Sequence, residues 1–261
     1  MVMVISLALT INNNKAEGST QPYIQSTGNT MDRSKPQRRH RIAMVCDFFF
    51  PNLGGVENHI YSLSQKLIER GHKVVIITHQ YSGNKRQGVR YLPGPLKVYY
   101  CPIVPMGSSA NVAIPTFTAT LPLLRYILLR EQIDIVHAHQ ATSTMGNESI
   151  VYASMMGISA IYTDHSLFGF SDIASVILNR VLQTTLCTID AAICVSHTCR
   201  DNFILRTKLT KKQQTKINGS HDMLQPKIRV IPNAVSPSQF LPPSMLEIGQ
   251  QSAPGAHVND R

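Results

Sequence analysis

The sequence predicts an α/β fold with a doubly wound, mostly parallel sheet. Three observations lead to this prediction: apolar runs of strand length, helical patterns between them, and glycines where helices should end. The first apolar run is "RIAMVC" (41–46), and the second is "KVVIIT" (73–78). Between them, apolar residues recur at helical spacing from Val56 to Leu67, and Gly71 stands where a helix C-terminus favours a positive φ. This order of strand, helix and strand predicts a parallel βαβ unit.

The rest of the chain continues the alternation that is typical of such a fold. In residues 79–114, which are rich in Gly, Pro, Tyr and Ser, the runs "VRYL" and "KVYYCPI" predict two short strands. Beyond them the sequence predicts helices at 117–132, 147–157, 172–187 and 197–206, and strands at 133–139, 159–165, 190–196 and 227–233.

One domain is expected over residues 41–242. Residues 1–40 and 243–261 are polar and aperiodic, so we expect a disordered extension and a disordered tail. Residues 207–226 are basic and aperiodic between a helix and a strand, which is typical of an insertion. No apolar run reaches the roughly 18 residues of a membrane span, so no transmembrane helix is expected.

The net charge of +10 lies mainly in the flanking segments 1–40 and 200–229. A nucleic-acid groove would instead run across the folded body, so we expect no nucleic-acid partner. Flanking basic charge fits an anionic membrane surface or simple solubility. The five cysteines include no C-x-x-C pair, which predicts reduced, buried thiols.

Polar residues gather where the predicted strands end. They are Asp47, His79, His137, His139, the run from Asp164 to Ser166, Ser196, His197 and Asn233. Open α/β sheets bind their ligands outside the carboxyl ends of the strands. The sequence therefore predicts a binding site at this edge.

Gly54 and Gly55 stand between the first strand and the first helix. Helix N-termini bind anions through free N–H groups, and glycine lets a phosphate come close. The pattern is neither G-x-G-x-x-G nor a P-loop, which disfavours a dinucleotide fold of the usual kind and a P-loop nucleotidase. Two interpretations remain open: an anion site, or a tight turn with positive φ.

The histidines allow several roles. Asp164, His165 and Ser166 are neighbours, and their side chains diverge too far to form a catalytic triad. His165 can bond a sugar hydroxyl, or it can be a structural residue that caps the next loop. His137 and His139 face the same side of a strand, but no third ligand has a suitable spacing, so we expect no metal.

Several motifs resemble a known enzyme family. They are "GGVE" at 54–57, "ERGHKV" at 69–74, "HAH" at 137–139 and "VIPNAV" at 230–235. Together they resemble the N-terminal, Rossmann-like half of retaining GT-B glycosyltransferases of family 4. The longer stretches "MVCDFFFPNLGGVENHIYSLSQKLIERGHKVVIITH" and "YTDHSLFGFSDIASVILN" are similar, more narrowly, to the transferase subunits that begin glycosylphosphatidylinositol (GPI) anchor synthesis.

The resemblance implies transfer of N-acetylglucosamine from UDP-GlcNAc to phosphatidylinositol, with retained configuration and without cofactor or metal. It also implies other subunits of a membrane-bound complex, a membrane surface, and a peripheral place on the cytoplasmic face of the endoplasmic reticulum. Carried over by position, it assigns the donor diphosphate to Gly54 and Gly55, catalysis to His165, and acceptor or sugar contacts to Glu57, Asn58 and His139.

The chain also departs from this family. Residues 232–236 are "PNAVS" where members carry "PNGVD", and no E-x7-E pair follows. In the family, a second domain supplies most of the UDP-sugar site. We therefore expect this domain to be absent here, UDP-GlcNAc to bind weakly, and the chain to be inactive alone. The alternative is a non-catalytic module that binds phosphoinositide or partner subunits.

Overall fold

A computed structural model of the chain shows an eight-stranded sheet with helices packed against it. The structure describes residues 39–81, 87–105, 112–113, 115, 119–167, 169, 172–209 and 227–234. The predicted extension 1–40, insertion 207–226 and tail 243–261 fall almost wholly outside these ranges, so they stay predictions.

Strands and helices alternate along the chain as expected. Their order is β1 (Arg41–Val45), α1 (Gly55–Glu69), β2 (Lys73–His79), β3 (Gly88–Leu92), β4 (Leu96–Cys101), α2 (Leu121–Arg130), β5 (Ile135–His139), α3 (Thr144–Met155), β6 (Ser159–Asp164), α4 (Ile173–Thr185), β7 (Ala191–Cys194), α5 (His197–Thr207) and β8 (Lys227–Val230). A short 3-10 turn, Leu186–Thr188, follows α4.

The sheet order is β3-β4-β2-β1-β5-β6-β7-β8. From β1 the chain first moves outward through β2 and then returns to continue on the other side through β5 to β8. Every strand pair is parallel except β3 with β4. The predicted doubly wound, mostly parallel α/β fold is therefore confirmed.

Alternate residues of β1 belong to two different apolar clusters. Ala43 and Val45 pack in one cluster, and Ile42 and Met44 pack in the other. Because side chains alternate across a strand, this division means that both faces of the sheet are covered. This explains why the run "RIAMV" is apolar throughout and does not alternate with polar residues.

The two short strands predicted within 79–114 form an antiparallel hairpin at one edge of the sheet. Gly94 in the connecting turn has a φ of 75°. The side chains of β3 are mostly exposed, whereas those of β4 are mostly buried. This edge strand therefore lies far from the centre of the sheet, where β1 and β5 are neighbours.

Helix α3 begins at Thr144, earlier than the predicted 147. Ser143 caps it by accepting a hydrogen bond from the N–H of Gly146. The carboxylate of Asp47 accepts from the N–H groups of Thr144 and Met145, at 3.1 and 3.0 Å. These two caps satisfy N–H groups that would otherwise be unpaired, which explains the extra turn.

The cysteine prediction is partly wrong. Cys46, Cys101, Cys194 and Cys199 are buried free thiols, but Cys187 is exposed. It lies in the 3-10 turn after α4, which the sequence pattern had assigned to the end of a longer helix. Among the described residues, every helix is too short or too polar to cross a bilayer.

Candidate functional site

The candidate site lies at the carboxyl ends of β1, β5 and β6, which are neighbours in the sheet. The loop after β1 leads into the N-terminus of α1, His139 ends β5, and His165 directly follows β6. This is the point where the chain reverses its direction of growth across the sheet. Such switch points open a crevice for ligands.

Three histidines meet at this crevice, and we call them the histidine cluster: His59, His139 and His165. The Nδ1 atom of His139 is 3.3 Å from Nε2 of His165. The ring of His59 stands edge-on to both, with centroid distances of 4.8 Å to His165 and 5.7 Å to His139. One ring nitrogen from each residue lies within 4.8 Å of the other two.

The cluster is neutral near physiological pH. Burial lowers the pKa of His59, His139 and His165, and for His165 the value falls to about 3. Repulsion between the rings adds to this effect at His139 and His165. The imidazoles therefore act as hydrogen-bonding groups or ligands, and they carry no positive charge toward an anion.

Access to the cluster comes from one side. His139 has no exposed surface, whereas His59 and His165 are half-buried. Nε2 of His165 faces His139, so Nδ1, on the other side of the ring, points away from this contact. The predicted direct contact between His139 and the sugar stays a prediction. In the structure its ring contacts those of His59, His137 and His165.

His137 lies behind the cluster, on the same side of β5 as His139, as the sequence predicted. Its ring centroid is 4.2 Å from that of His139. Its Nε2 is 2.7 Å from Oγ1 of Thr163 on β6, and burial lowers its pKa to about 3. His137 is thus hydrogen-bonded within the protein and packs against His139, the buried member of the cluster.

His59 lies at this edge although the sequence pattern did not predict it there. Its ring joins those of His139 and His165 from α1, whereas His137 is not part of this group, so the expectation that no metal binds stays a prediction. The side chain of Asn233, in the segment after β8, hydrogen-bonds His59. A signal was present: His59 is one helical turn after Gly55, on a helix that starts at the predicted binding edge.

Gly54 and Gly55 do not form a turn with positive φ. Gly54 is the N-cap of α1 and has an extended backbone, with φ −161° and ψ 178°. The tight-turn interpretation is therefore wrong. A Cβ on Gly55 would meet nothing within 4 Å, so the protein itself does not require glycine there. No side chain caps this helix.

Glu57 folds back over the start of α1. A Cβ on Gly54 would collide with the Glu57 carboxylate, and Glu57 is only 7% exposed. Asn58, the next residue, is exposed. The carboxylate complements the partial positive charge of the helix N-terminus. An incoming phosphate would have to bind beside the Glu57 carboxylate or displace it. The roles that the sequence predicts at this helix start, those of Gly54, Gly55, Glu57 and Asn58, stay predictions.

The three neighbours after β6 diverge to three partners, as predicted. Asp164 forms an ion pair with Arg206 of α5, in which both side chains are fully buried. His165 turns to the histidine cluster, and Ser166 donates a hydrogen bond to Oε1 of Gln140 at 2.8 Å. Gln140, which follows His139 directly, has a φ of 71°. The residues before and after His165 are therefore both held by contacts with other parts of the protein.

Asp47 has a structural role at the same edge. Its carboxylate is fully buried and accepts hydrogen bonds from the N–H of Ala113 and from Ser143 Oγ, besides those at the start of α3. Burial raises the pKa of Asp47, and its backbone hydrogen bonds oppose that rise. It joins the end of β1 to the start of α3, and so it holds these two elements together next to the crevice.

Comparison with known proteins shows a family to which this chain is similar. The family model "PIGA (GPI anchor biosynthesis)" matches residues 79–172. A phosphatidylinositol N-acetylglucosaminyltransferase subunit from Homo sapiens is 47% identical over 205 residues, which is 78% of this chain and 39% of the relative. The corresponding subunit from Arabidopsis thaliana is 50% identical over 205 residues, 78% of this chain and 42% of the relative. The chain is homologous to this family of transferase subunits.

The fold comparison shows a similar architecture. Sucrose-phosphate synthase from Thermosynechococcus elongatus superimposes with a TM-score of 0.54 at 14% identity, over 82% of this chain and 53% of the synthase. This neighbour shows the fold alone, that of a GT-B glycosyltransferase. The PIGA homologue described here spans about two fifths of the length of its curated relatives.

Proposed function

We propose that this PIGA homologue takes part in transferring N-acetylglucosamine from UDP-GlcNAc to phosphatidylinositol, the first step of GPI-anchor synthesis. The observation that carries the proposal is the position of His165: it directly follows β6, and its ring centroid lies 4.8 Å from that of His59, near the start of α1. The human and plant relatives are 47% and 50% identical to this chain, and their names support N-acetylglucosamine and phosphatidylinositol as the groups involved.

His165 would contact the reacting sugar. A neutral imidazole with Nε2 facing His139 can donate from Nδ1 to a sugar hydroxyl without gaining or losing a proton. A preorganised donor of this kind stabilises charge that develops in the transition state. His139 and His137 are positioning residues, because they hold this ring from the buried side.

The start of α1 would receive the donor diphosphate. Gly55 is exposed and has open space above it, so a phosphate oxygen can approach the first free N–H groups of the helix. Glu57 and Asn58 lie in the same turn and offer a carboxylate and an amide to inositol or sugar hydroxyls. One exposed helix terminus contributes only about 1 kcal/mol per anion contact, so these residues alone would hold UDP-GlcNAc weakly.

A membrane surface is part of the proposal, since the lipid acceptor lies in a membrane. Helix α2 carries a groove of about 590 Å³ lined by Leu121, Pro122, Arg125, Tyr126, Leu129 and Arg130. Exposed apolar side chains beside arginines are typical of helices that lie on anionic lipid. We propose peripheral contact with the cytoplasmic face of the endoplasmic reticulum, together with the other subunits of a transferase complex.

A second candidate function is a non-catalytic module that binds phosphoinositide or partner subunits. The observation in its favour is the Glu57 carboxylate over Gly54, because it already complements the helix end that a donor diphosphate would use. The two functions differ in a measurable way: the module would bind the lipid headgroup or the partners and transfer nothing.

A chimera tests the proposed transfer. The aligned 205-residue segment of the human relative would be replaced by that of this chain, and GlcNAc transfer from UDP-GlcNAc to phosphatidylinositol would be measured in microsomes. We expect transfer at a rate within about tenfold of the human protein. A chimera that joins the complex at normal abundance and transfers nothing would favour the non-catalytic module.

A further inference from the structure

We propose that the outer side of α4 enters the acyl-chain layer of a membrane and seats lipid hydrocarbon beside the loop that carries His165. This rests on the proposed membrane contact through α2, and it adds a second contact of a different kind. The ligand at α4 is the hydrocarbon of the lipids, whereas the arginines of α2 would meet their charged headgroups.

Helix α4 is apolar on both of its sides. Its inner side packs on the sheet through residues such as Leu182, which is fully buried. Its outer side consists of six exposed residues at helical spacing: Ile173, Val176, Ile177, Arg180, Val181 and Thr184. Ile173 is 80% exposed and Ile177 is 60% exposed. A helix that is covered by water on its outer side normally carries polar residues there, so the outer side of α4 indicates an apolar environment.

Helix α1, on the other face of the sheet, shows the usual arrangement. Its inner residues, such as Ile60 and Leu63, are buried in the second apolar cluster. Its exposed side chains are polar, and they belong to Asn58, Ser62, Lys66 and Glu69. The apolar outer side is therefore a feature of α4, since α1 packs against the same sheet without one.

Helix α4 lies on the same face of the sheet as α2. Both helices contact α3, and inner side chains of all three belong to one apolar cluster. The hydroxyls of Thr120, the N-cap of α2, and Tyr152 of α3 are 3.1 Å apart. Thr185 of α4 donates a hydrogen bond to Asn147 of α3 at 3.4 Å. The outer side of α4 and the groove on α2 therefore belong to one helical layer, which can meet one membrane.

The charges of this layer complement an anionic membrane. Among the described residues of α2, α3 and α4, the exposed charged side chains are all arginines: Arg125, Arg130 and Arg180. The acid within these helices, Glu148, is half-buried and accepts a hydrogen bond from Thr120. Stable attachment to a membrane takes two signals, such as an apolar insertion together with basic charge. The aliphatic residues of α4 would supply the first, and the arginines would supply the second.

Two observations favour lipid over a protein partner at α4. Protein interfaces are enriched in aromatic residues and methionine, and the six residues of the outer side include neither. The second observation is continuity with the candidate site. Leu167 is exposed and stands two residues after His165, and Asp172 caps the start of α4 soon afterwards. A lipid whose headgroup reaches His165 would therefore find exposed aliphatic side chains along the same stretch of chain.

A tryptophan probe tests the insertion. The chain contains no tryptophan, so Ile177→Trp gives a single emission from the outer side of α4. The whole chain would be mixed at low salt with vesicles of phosphatidylcholine and phosphatidylinositol. We expect the emission to move to shorter wavelength and to be quenched by lipids brominated in the upper acyl chain, since interfacial helices bury their apolar side about 5–10 Å deep. Ser62→Trp on α1 is the matched control and should show neither change.

A second pair of variants measures the contribution to binding. Val176→Ser with Ile177→Ser should weaken vesicle binding by about tenfold or more, because two aliphatic side chains no longer leave water. The thermal midpoint should stay close to that of the parent, since both residues are exposed. The control is Val89→Ser with Tyr91→Ser on the exposed edge strand β3, which should bind vesicles as the parent does.

Three results would overturn the proposal. If the parent chain floats with the vesicles while the emission of Ile177→Trp stays unchanged, α4 does not insert, and the contact through α2 stands. If the parent chain does not bind the vesicles, both contacts are wrong. If the emission shifts without vesicles as the protein concentration rises, a second copy of the chain covers α4. Each result leaves sugar transfer to be tested separately by the chimera.

Discussion

Arg206 of α5 and Asp164, the last residue of β6, form an ion pair with no exposed surface, one residue before His165. A charged pair of this kind loses several kcal/mol of hydration per ion, and the attraction between the partners offsets that loss only while both are present. The pair therefore ties α5 to the strand end that carries His165.

Removing one partner should destabilise the fold strongly. We expect Arg206→Leu to lower the free energy of unfolding by about 3–5 kcal/mol, because Asp164 is left buried and unpaired. The double variant Asp164→Asn with Arg206→Leu should recover a large part of the loss. Urea denaturation of the three chains checks this. Equal stability of the single and double variants would show that the ion pair does not couple these residues.

Glu131 predicts a dependence of stability on pH. Burial alone would raise its pKa, but hydrogen bonds from Lys73, Lys97 and Tyr99 lower it from 4.5 to about 2. A carboxyl group with a lowered folded-state pKa stabilises the protein above its unfolded pKa. That contribution is lost as the pH falls from about 4.5 to about 2.

Replacing the Glu131 carboxyl group tests the direction of this pH dependence. We expect Glu131→Gln to cost about 2 kcal/mol of unfolding free energy at pH 7, and the difference from the parent chain to shrink toward pH 2–3. The matched control is Glu69→Gln, since Glu69 forms an exposed ion pair with Lys66 and should change stability by less than about 0.5 kcal/mol. A cost for Glu131→Gln that stays constant from pH 7 to pH 2 would contradict this prediction.

Gly55→Val separates ligand binding from folding. A Cβ at this position meets no protein atom, so we expect little change in the thermal midpoint. A branched side chain would nevertheless stand where a phosphate must approach the helix N–H groups. In the chimera, UDP affinity should fall by about tenfold or more. Unchanged affinity would show that the donor diphosphate binds elsewhere.

Charge reversal on α2 tests the membrane contact. We expect the whole chain to float with liposomes that contain anionic lipid at low salt, and Arg125→Glu with Arg130→Glu to abolish this binding. Arg90→Glu on the exposed edge strand β3 is the control and should bind as the parent does. If the parent fails to float, or if all three reversals act equally, α2 is not the contact surface.

The sequence was sufficient for the fold because parallel strands that are buried on both faces leave continuous apolar runs. The runs at Arg41–Val45 and Lys73–His79 are examples, and glycines such as Gly71 mark the helix ends. The antiparallel hairpin of β3 and β4 and the early start of α3 depend on distant partners such as Asp47, which local patterns do not reveal.

The position of a site residue could be predicted only where that residue stands at the end of a strand. His139 and His165 follow strands, so their positions at the sheet edge could be expected. His59 joins them from α1, and Asn233 reaches His59 from beyond β8, 174 positions later in the sequence numbering. Contacts of this range depend on the packing of α1 against the sheet, and that packing is visible only in three dimensions.

The most direct test of the account is the transfer rate of the chimera with His165→Ala. We predict a loss of about 100-fold or more in GlcNAc transfer to phosphatidylinositol, because a preorganised donor to the reacting sugar is removed. The thermal midpoint and the abundance of the complex should stay close to those of the parent, and His197→Ala should transfer normally. A folded His165→Ala chimera with normal turnover would contradict the central claim that this histidine acts on the sugar.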